Sequence, residues 1–408
     1  MKVNKAYRYE LDPNNIQKTL LAKHSGVARF AYNWGLARRI QEYKTTGKSS
    51  NAIEQHRQIN ALKKTDFPWM YEVSKCAPQE ALRDLECAYK NFFRRVKNGE
   101  RLGFPKFKKK GIDDSFRLTG SISVLPRHIQ LPRLGAIRTK ESTHKFTGKI
   151  LSAVVKREAD KWFVSLAVEV ESPDPKPIQG EICGCDLGLN KFVQISNGEV
   201  IDFELPLAKL LSKLKEYSRS HSKKQKGSNN RRKSAVRLAR IHYRIKCLRK
   251  DTIHKITTLL AKTKSVICVE DLNVKGMIKN SRLARSISDA SWGELVKQLE
   301  YKCMWYGSTL VFAPAKFPST KMCNRCKNVK ESMLLSERTY RCDKCGLVID
   351  RDLNSAINLE NHAREVIGHL NQTTASSAGR YACGDGTSTG EIQQALSLKQ
   401  EESTSITL

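Results

Sequence analysis

The sequence predicts an α/β domain combined with a β-barrel, the barrel being interrupted by a block of helices. The opening "MKVNKAYRYELDP" alternates like an edge strand, and from residue 14 to residue 98 apolar residues recur with helical spacing. From residue 99 the alternation returns, and "KILSAVVKREADKWFVSLAVEVE" predicts a β-hairpin turning at Ala159 and Asp160. Beyond the Pro-rich linker "SPDPKPIQG", strand and helix patterns follow one another, as expected of an α/β domain.

Changes of pattern and composition set the boundaries of these parts. A Cys-rich module interrupts the α/β domain before its last helix, and the polar tail after that helix is predicted to be disordered. The predicted parts are a barrel at 1–13 and 99–175, a helical block at 14–98, the α/β domain at 180–318 and 349–366 with a basic helical hairpin at 205–262, the Cys-rich module at 319–348, and the tail at 367–408.

A strong positive charge dominates the composition. The 408 residues contain 73 Lys and Arg against 41 Asp and Glu, which gives a formal net charge of +32. A charge of this size favours a polyanionic partner, and nucleic acid is the usual one. The alternative is a solvated basic surface of the ribosomal or heparin-binding kind.

The apolar runs and the cysteines bear on cellular location. The longest apolar runs, such as "SVICV", are far too short to span a membrane, and the opening residues lack the pattern of a signal peptide. The 12 cysteines include pairs with C-x2-C spacing, which indicates a metal site in a reducing compartment. We therefore expect a cytoplasmic protein without membrane contact.

A basic helical hairpin follows the first strands of the α/β domain. Between Ser212 and Lys250 there are 15 Lys and Arg residues and one acidic residue, and the second helix carries Ile241, Ile245 and Leu248 on one face. Such charge density indicates a clamp for a phosphate backbone, although an ordinary surface helix pair is the alternative. The candidate phosphate contacts around the turn are Lys223, Lys224, Lys226, Arg231, Arg232 and Lys233.

Four cysteines have the spacing of a metal site, C-x2-C-x15-C-x2-C. They are Cys323, Cys326, Cys342 and Cys345. Two such knuckles complete a tetrahedron of thiolates, which suits Zn²⁺. A rubredoxin-like iron site or two disulfides are the alternatives. Because four cysteines leave no open coordination position, the predicted zinc is structural.

Three carboxylates stand where strands end or a helix begins. Asp186 closes the apolar strand "EICGCD" and Glu270 closes "SVICVE", positions at which a charge is costly unless it is paired or bound to metal. Asp352 lies in the first turn of the last helix, where a capping role would explain Asp350 or Asp352 alone. Together the three acids indicate a ribonuclease H-like sheet on which they converge to bind two Mg²⁺ ions.

Several segments resemble the TnpB family of transposon-encoded, RNA-guided DNA nucleases. They are "CDLGLNKF", "VEDLNVKGM", "CNRCKN…CDKCGLVIDRDLNSAINL" and "YRYELDPNNIQ…ARFAYNWGLARR", and the similarity extends over residues 1–366. The resemblance implies a RuvC-like nuclease domain with a zinc ribbon insertion, an oligonucleotide-binding-like barrel (the wedge) and a helical recognition domain.

The resemblance also assigns the catalytic residues. It implies that Asp186, Glu270 and Asp352 are the catalytic acids and hold the Mg²⁺ ions, for which Mn²⁺ can substitute. All three acids are present, unlike in nuclease-silent relatives that act as guided repressors. Their neighbours Asp350 and Asp271 are expected either to orient metal-bound water or simply to cap.

The partners implied by the resemblance are nucleic acids. They are a guide RNA from the right end of the transposon and a double-stranded DNA target next to a short transposon-adjacent motif. The resemblance also implies one protein chain per RNA and a prokaryotic protein that associates with the nucleoid. In "SKCAPQEAL", Lys75 and Gln79 match motif-reading positions of the family. A solvated helix face is the alternative explanation for this pair.

The cysteine module lies close to the third acid, since Cys345 precedes Asp352 by seven residues. We hypothesise that the rigid knuckle fixes the start of the last helix, positions Asp352 and helps to gate the access of DNA, without contributing direct chemistry.

Two other functions stay open beside guided double-strand cleavage of DNA. The first is a guided DNA-binding repressor without nuclease activity, against which the intact acids count. The second is a DNA-only RuvC-like transposase or resolvase, whose activity would not depend on added guide RNA.

Overall fold

The structure of the protein is a computed structural model that describes residues 1–100, 103–112, 114–202, 206–334 and 336–376, with side chains to residue 368 in the last helix. Its elements in chain order are β1 (Lys2–Leu11), α1 (Asn15–Thr46), α2 (Ala52–Leu62), a 3₁₀ turn (Pro68–Glu72), α3 (Cys76–Lys97), β2 (Ser115–Leu118), β3 (Ser123–Leu125), β4 (His128–Leu131), β5 (Gly135–Arg138), β6 (Lys149–Glu158), β7 (Lys161–Glu171), β8 (Ile182–Leu187), β9 (Val193–Ile195), β10 (Val200–Ile201), α4 (Pro206–Ser222), α5 (Asn229–Thr263), β11 (Val266–Glu270), α6 (Val274–Met277), α7 (Ala284–Ala290), α8 (Trp292–Tyr306), β12 (Thr309–Ala313), β13 (Thr339–Arg341), β14 (Val348–Asp350) and α9 (Arg351–Ser376).

The described residues form two compact units. The first contains residues from 1–176, 206–255 and 288–295, and the second contains residues from 177–202, 256–287 and 296–376. In the part of the chain that the structure describes, no helix is both long and apolar enough to cross a membrane.

Two antiparallel sheets form the strand portion of the first unit. One has the order β1-β7-β6-β2 and the other the order β3-β4-β5. The predicted hairpin is confirmed, since Glu158 pairs with Lys161 across a turn in which Ala159 has a φ of 56°. An isolated bridge between Leu11 and Thr139 links the two sheets. Closure into an oligonucleotide-binding-like barrel stays a prediction.

Helices α1 to α3 are inserted between β1 and β2, as predicted for residues 14–98. Asn14 is the N-cap of helix α1: its side chain accepts a hydrogen bond from the backbone N–H of Gln17, while the Gln17 side chain accepts one from the N–H of Asn14. Gly47 is the C-cap, and its φ of 67° is readily adopted by glycine. The block therefore has well-defined helix boundaries that are set locally.

The basic hairpin of α4 and α5 lies for the most part in the first unit. Residues 205–262 were expected to belong to the nuclease domain, which stays a prediction; residues 206–255 pack with the first unit and residues 256–263 with the second. Two ion pairs join it to the β6–β7 hairpin: Arg240 pairs with Asp160 at 2.5 Å, and Lys246 pairs with Glu158 at 2.9 Å. Opposite charges thus face each other where the long helix contacts this sheet.

A five-stranded sheet forms the centre of the second unit. Its order is β10-β9-β8-β11-β12, in which β8, β11 and β12 are parallel and β9 and β10 form an antiparallel meander with β8. This order is that of a ribonuclease H-like sheet, so the predicted α/β architecture is present. Helix α9 packs across it, burying Ala356, Leu359 and Ala363 completely.

The last helix is longer than predicted. Its end was expected near Val366, but α9 continues through Ser376, so the first ten residues of the predicted disordered tail, 367–376, are helical. The remainder of that prediction, residues 377–408, lies outside the described residues.

Candidate active site and cysteine cluster

Two of the three predicted acids lie at the same edge of the five-stranded sheet. Asp186 is near the end of β8 and Glu270 is the last residue of β11. These strands are parallel neighbours in which Val269 lies opposite Cys185, so the two acids follow side by side at the carboxyl edge. The sheet topology therefore explains why two residues far apart in the chain reach one site.

Helix α9 brings the third acid to this edge. A Cβ atom added at Gly184 would lie 1.9 Å from the carbonyl oxygen of Ala356, so the helix backbone contacts the strand directly. One residue earlier in the helix, Ser355 donates a hydrogen bond from Oγ to Oδ1 of Asp186 at 3.2 Å. The close approach places Asp352, one turn earlier, near the strand ends.

Asp186 feels the negative charges of the other two acids. Burial and the negative charges of Glu270 and Asp352 together raise the pKa of Asp186 to about 7. Carboxylate oxygens are the type of donor that fits hard cations such as Mg²⁺. The Arg351 guanidinium, 3.1 Å from the Asp352 carboxylate, supplies positive charge at the third acid.

The two neighbouring aspartates have different environments. Asp350 precedes α9, and its Oδ1 accepts hydrogen bonds from the backbone N–H groups of Asp352 and Leu353, each at 3.0 Å, which is the geometry of an N-cap. Its Oδ2 accepts a hydrogen bond from Lys191 at 3.0 Å. The side chain of Asp271 is exposed. Asp350 thus holds the backbone of Asp352 in place.

The four predicted zinc ligands converge. The Sγ atoms of Cys323, Cys326, Cys342 and Cys345 all lie within 4.8 Å of one another, and among the described residues this is the only such cluster of three or more Cys, His, Asp or Glu side chains. The sulfurs of Cys323 and Cys345 are 3.6 Å apart. A Zn–S bond of about 2.3 Å gives a tetrahedral edge of about 3.8 Å, so the cluster fits Zn²⁺.

Two thiols of the cluster have opposite pKa shifts. Against the N–H of Leu347, which lowers it, burial and the neighbouring cysteines raise the pKa of Cys345 to about 12. Backbone N–H groups, first that of Cys345 and then that of Lys344, lower the pKa of the Cys342 thiol to about 6, against the opposing effect of burial. A thiolate is the form that binds Zn²⁺.

Two asparagines of α9 bind the segment that leads into the first knuckle. Asn354 donates from Nδ2 to the carbonyl oxygen of Met322 at 2.8 Å, and its Oδ1 accepts from the N–H of Asn324 at 3.1 Å. Asn358 donates to the carbonyl oxygens of Ser319 at 2.8 Å and Met322 at 2.7 Å. Sequence patterns missed these roles, although Asn354 lies inside the D-x-N-x-A string.

A serine next to the second acid was also missed by sequence analysis. The hydroxyl of Ser319 donates a hydrogen bond to Oε1 of Glu270. Ser319 lies in the segment between β12 and the first cysteine and is buried. Nothing in the local sequence pattern distinguishes this serine from others, because the contact joins residues 49 positions apart.

The candidate motif-reading pair lies at the start of α3. Lys75 is the N-cap residue of that helix and its side chain is exposed, whereas Gln79 lies in the second turn and is half-buried. The predicted spacing along one helix face is retained, and the assignment to DNA reading stays a prediction.

The candidate phosphate contacts surround the turn between α4 and α5. Lys223, Lys226, Arg232 and Lys233 are exposed. Arg231 instead donates from Nη1 to the carbonyl oxygens of Lys224 at 2.7 Å and His221 at 3.2 Å. These hydrogen bonds join the start of α5 to the end of α4. Arg231 therefore makes structural contacts within the turn.

Three family models match the chain. They are described as "Probable transposase" for residues 165–281, "Cas12f1-like, TNB domain" for residues 292–359 and "Helix-turn-helix domain" for residues 1–48. The last description does not fit the local fold, because strand β1 and a single 32-residue helix, α1, occupy that range almost completely.

Known proteins show similarity over most of the chain. A Streptomyces pristinaespiralis protein named "Putative RNA-guided DNA endonuclease" is 32% identical over 391 residues, which cover 94% of this chain and 92% of the relative. "TnpB-like protein L79" of Acanthamoeba polyphaga mimivirus is 27% identical over 191 residues, 43% of this chain and 36% of that protein. A solved structure described as "Structure of the mini-RNA-guided endonuclease CRISPR-Cas_phi3" aligns with a TM-score of 0.46 and 10% identity, covering 89% of this chain and 92% of the other. Similarity of this extent to the Streptomyces relative confirms the resemblance seen in the sequence, and the chain belongs to the TnpB family.

Proposed function

We propose that the protein is an RNA-guided, Mg²⁺-dependent DNA endonuclease that makes double-strand breaks beside a short transposon-adjacent motif and thereby supports maintenance of the transposon. The proposal is supported by the placement of Asp186 and Glu270 at the ends of two neighbouring parallel strands and of Asp352 in the first turn of the helix packed on them, with the pKa of Asp186 raised to about 7 by burial and by the other two charges. The name of the Streptomyces relative supports the same activity.

The three acids have a common role in this proposal, which is to hold two divalent cations at the carboxyl edge of the sheet. When bound, Mg²⁺ supplies an activated water for attack on the phosphodiester and stabilises the leaving 3′ oxygen. The protein's own contribution is position: Ser355 donates to Asp186, Ser319 donates to Glu270, and Asp350 fixes the backbone of Asp352. Rigid placement of this kind is what metal-dependent hydrolysis needs from a protein.

Zinc at the four cysteines is structural in this proposal. The first knuckle is bonded to α9 through Asn354, whose amide contacts both Met322 and Asn324. The helix that carries Asp352 is therefore tied to the knuckle, which supports the hypothesis that zinc positions the third acid.

The basic surfaces supply nucleic-acid binding in the proposal. The exposed lysines of the α4–α5 turn contact phosphates, and Lys75 and Gln79 read the motif on duplex DNA, while base pairing with the guide RNA specifies the target. One chain acts with one RNA, in the cytoplasm of a prokaryote and in contact with the nucleoid.

The experiment that tests the proposal is to express the gene with its native downstream DNA, purify the protein and sequence the RNA that co-purifies. We expect a discrete RNA whose 3′ segment comes from beyond the transposon boundary. Replacing that segment should redirect Mg²⁺-dependent cleavage to a new matching target. Heterogeneous cellular RNA together with cleavage that ignores the guide would contradict the proposal and favour a DNA-only nuclease. Specific target binding without cleavage by the wild type would favour a guided repressor.

A further inference from the structure

The hydroxyl of Ser319 joins the cysteine module to the second acid. Ser319 is 2% exposed and donates its hydrogen bond to Oε1 of Glu270. A bond from a neutral donor to a charged acceptor is stronger than one between neutral groups, and inside a protein it restricts the rotamer of the carboxylate. One oxygen of Glu270 is therefore held before any cation arrives.

Ser319 is itself held by helix α9. The amide of Asn358 uses its two N–H groups on two carbonyl oxygens, those of Ser319 and Met322. Carbonyl oxygens accept but cannot donate, so these contacts fix which end of the amide is nitrogen. Met322 directly precedes Cys323, the first of the clustered cysteines.

The amide oxygen of Asn358 lacks the hydrogen bonds that the amide nitrogen makes. Asn358 is completely buried, and its Oδ1 has no hydrogen-bond partner among the described residues. A buried acceptor without a partner lowers stability. The amide nitrogen of Asn358 is thus committed to the 319–322 segment at two carbonyl oxygens.

We propose that Ser319 is a positioning residue for Glu270 and that Asn358 acts through Ser319, so that the cysteine module controls the second acid as well as the third. This inference rests on the proposed nuclease function, because it assigns Glu270 to cation binding. Asn354 and Asn358 lie four residues apart on one face of α9, so a single helix holds the module at two points, one of which leads to Glu270.

The test measures Mn²⁺ binding to the purified protein–RNA complex by electron paramagnetic resonance, without DNA and without cleavage. The complex of the Asp186→Asn/Glu270→Gln double variant supplies the background from cations bound to RNA. We expect Ser319→Ala to weaken Mn²⁺ binding about tenfold, as for loss of a hydrogen bond to a charged group. Ser319→Thr, which keeps the hydroxyl, should restore most of the affinity.

A double-mutant cycle then tests the path through Asn358. Asn358→Leu alone should weaken Mn²⁺ binding, but in the Ser319→Ala background it should add less than about twofold, since both changes remove the same constraint on Glu270. Ser308→Ala, a buried serine of the same unit that does not bond to any of the three acids, is the matched control and should leave Mn²⁺ affinity unchanged. Zinc content and thermal midpoint report whether each variant is folded.

Two outcomes would overturn the inference. One is a folded, zinc-loaded Ser319→Ala complex that binds Mn²⁺ as the wild type does. The other is full additivity of the two substitutions, which would make Asn358 independent of Ser319. Both outcomes are read from cation binding and can be told apart from failure of the proposed nuclease function. That failure would appear as a wild-type protein that binds Mn²⁺ normally but does not cleave DNA.

Discussion

The backbone of Ala356 in α9 contacts Gly184 in β8 so closely that a Cβ atom on Gly184 would lie 1.9 Å from the Ala356 carbonyl oxygen. It would also lie 2.6 Å from the backbone nitrogen of Glu360. Both neighbours are backbone atoms, which cannot move aside as the end of a flexible side chain can. The glycine is therefore a condition for bringing Asp352 to the strand that carries Asp186.

Gly184→Ala is predicted to destabilise the protein by about 3 kcal/mol or more, because overpacking against backbone forces the helix away from the sheet. Thermal unfolding and the yield of folded protein measure this effect. The matched control is Gly293→Ala in α8, where an added Cβ meets no atom within 4 Å. It should change the free energy of unfolding by less than about 1 kcal/mol. Equal midpoints for the two variants would refute the packing argument.

The cap at the start of α9 leads to a second prediction. Asp350→Ala removes the acceptor for the N–H groups of Asp352 and Leu353 and should cost about 1 kcal/mol. Asp350→Asn keeps a capping oxygen but loses the charge that pairs with Lys191. We expect the Mg²⁺ concentration for half-maximal cleavage to rise more in Asp350→Ala than in Asp350→Asn. Hydrogen exchange at Asp352 and Leu353 should accelerate only in the alanine variant; unchanged exchange there would argue against the cap.

Loss of zinc should impair cleavage without removing RNA binding. In Cys342→Ser the knuckles lack a ligand, the 319–324 segment loses its anchor and α9 loosens. A misplacement of about 1 Å can lower a rate about 100-fold, and we expect a loss of this order. Zinc analysis, RNA retention and single-turnover cleavage measure the three effects. Cys87→Ser, at an exposed cysteine outside the cluster, is the control. A zinc-free Cys342→Ser that cleaves at the wild-type rate would disprove the positioning role.

The contact between α5 and the β6–β7 hairpin should depend on pH. Burial alone would raise the pKa of Glu158, but hydrogen bonds from Lys246 and Arg8 lower it below its ordinary value of 4.5. The hydrogen bond from Arg240 likewise lowers the pKa of Asp160 below 3.8. Between the folded-state and the ordinary pKa values, the unfolded state therefore binds more protons than the folded state. The stabilisation by these two carboxylates is complete above their ordinary pKa values, and it is lost as the pH falls through their lower folded-state pKa values.

Glu158→Gln tests this pH dependence. The partly exposed pair with Lys246 contributes about 0.5–1 kcal/mol at pH 7, so the variant should be less stable than the wild type by that amount at this pH. On acidification from pH 6 to pH 3.5, the free energy of unfolding should fall less in the variant than in the wild type. Urea unfolding at the two pH values measures the difference. Parallel pH profiles for the two proteins would show that Glu158 does not hold the hairpin.

Local patterns predicted the elements whose signals are local. The β6–β7 hairpin follows from alternation on both sides of a two-residue turn, and its register places Glu158 opposite Lys161 as expected. The acids at the ends of β8 and β11 could be predicted because a charge closing an apolar strand is unusual. The spacing of the cysteines likewise predicted a cluster that the structure assembles.

Features that depend on distant partners could not be predicted in this way. On α5, Ile241 and Ile245 are buried as expected, but Leu248 on the same face is 37% exposed, because periodicity does not reveal where a packing partner ends. The roles of Ser319 and Asn358 depend on a contact across 39 residues. The packing of residues 206–255 with the first unit includes ion pairs between distant residues, such as that between Arg240 and Asp160.

The most direct test of the central claim is cleavage and binding by Asp186→Ala with the co-purified guide RNA and a matching DNA target in Mg²⁺, with Ser308→Ala as control. The account predicts that Asp186→Ala binds the target as tightly as the wild type but does not cut either strand, while Ser308→Ala cuts normally. Cleavage of the target by Asp186→Ala at the wild-type rate would contradict the assignment of the three acids.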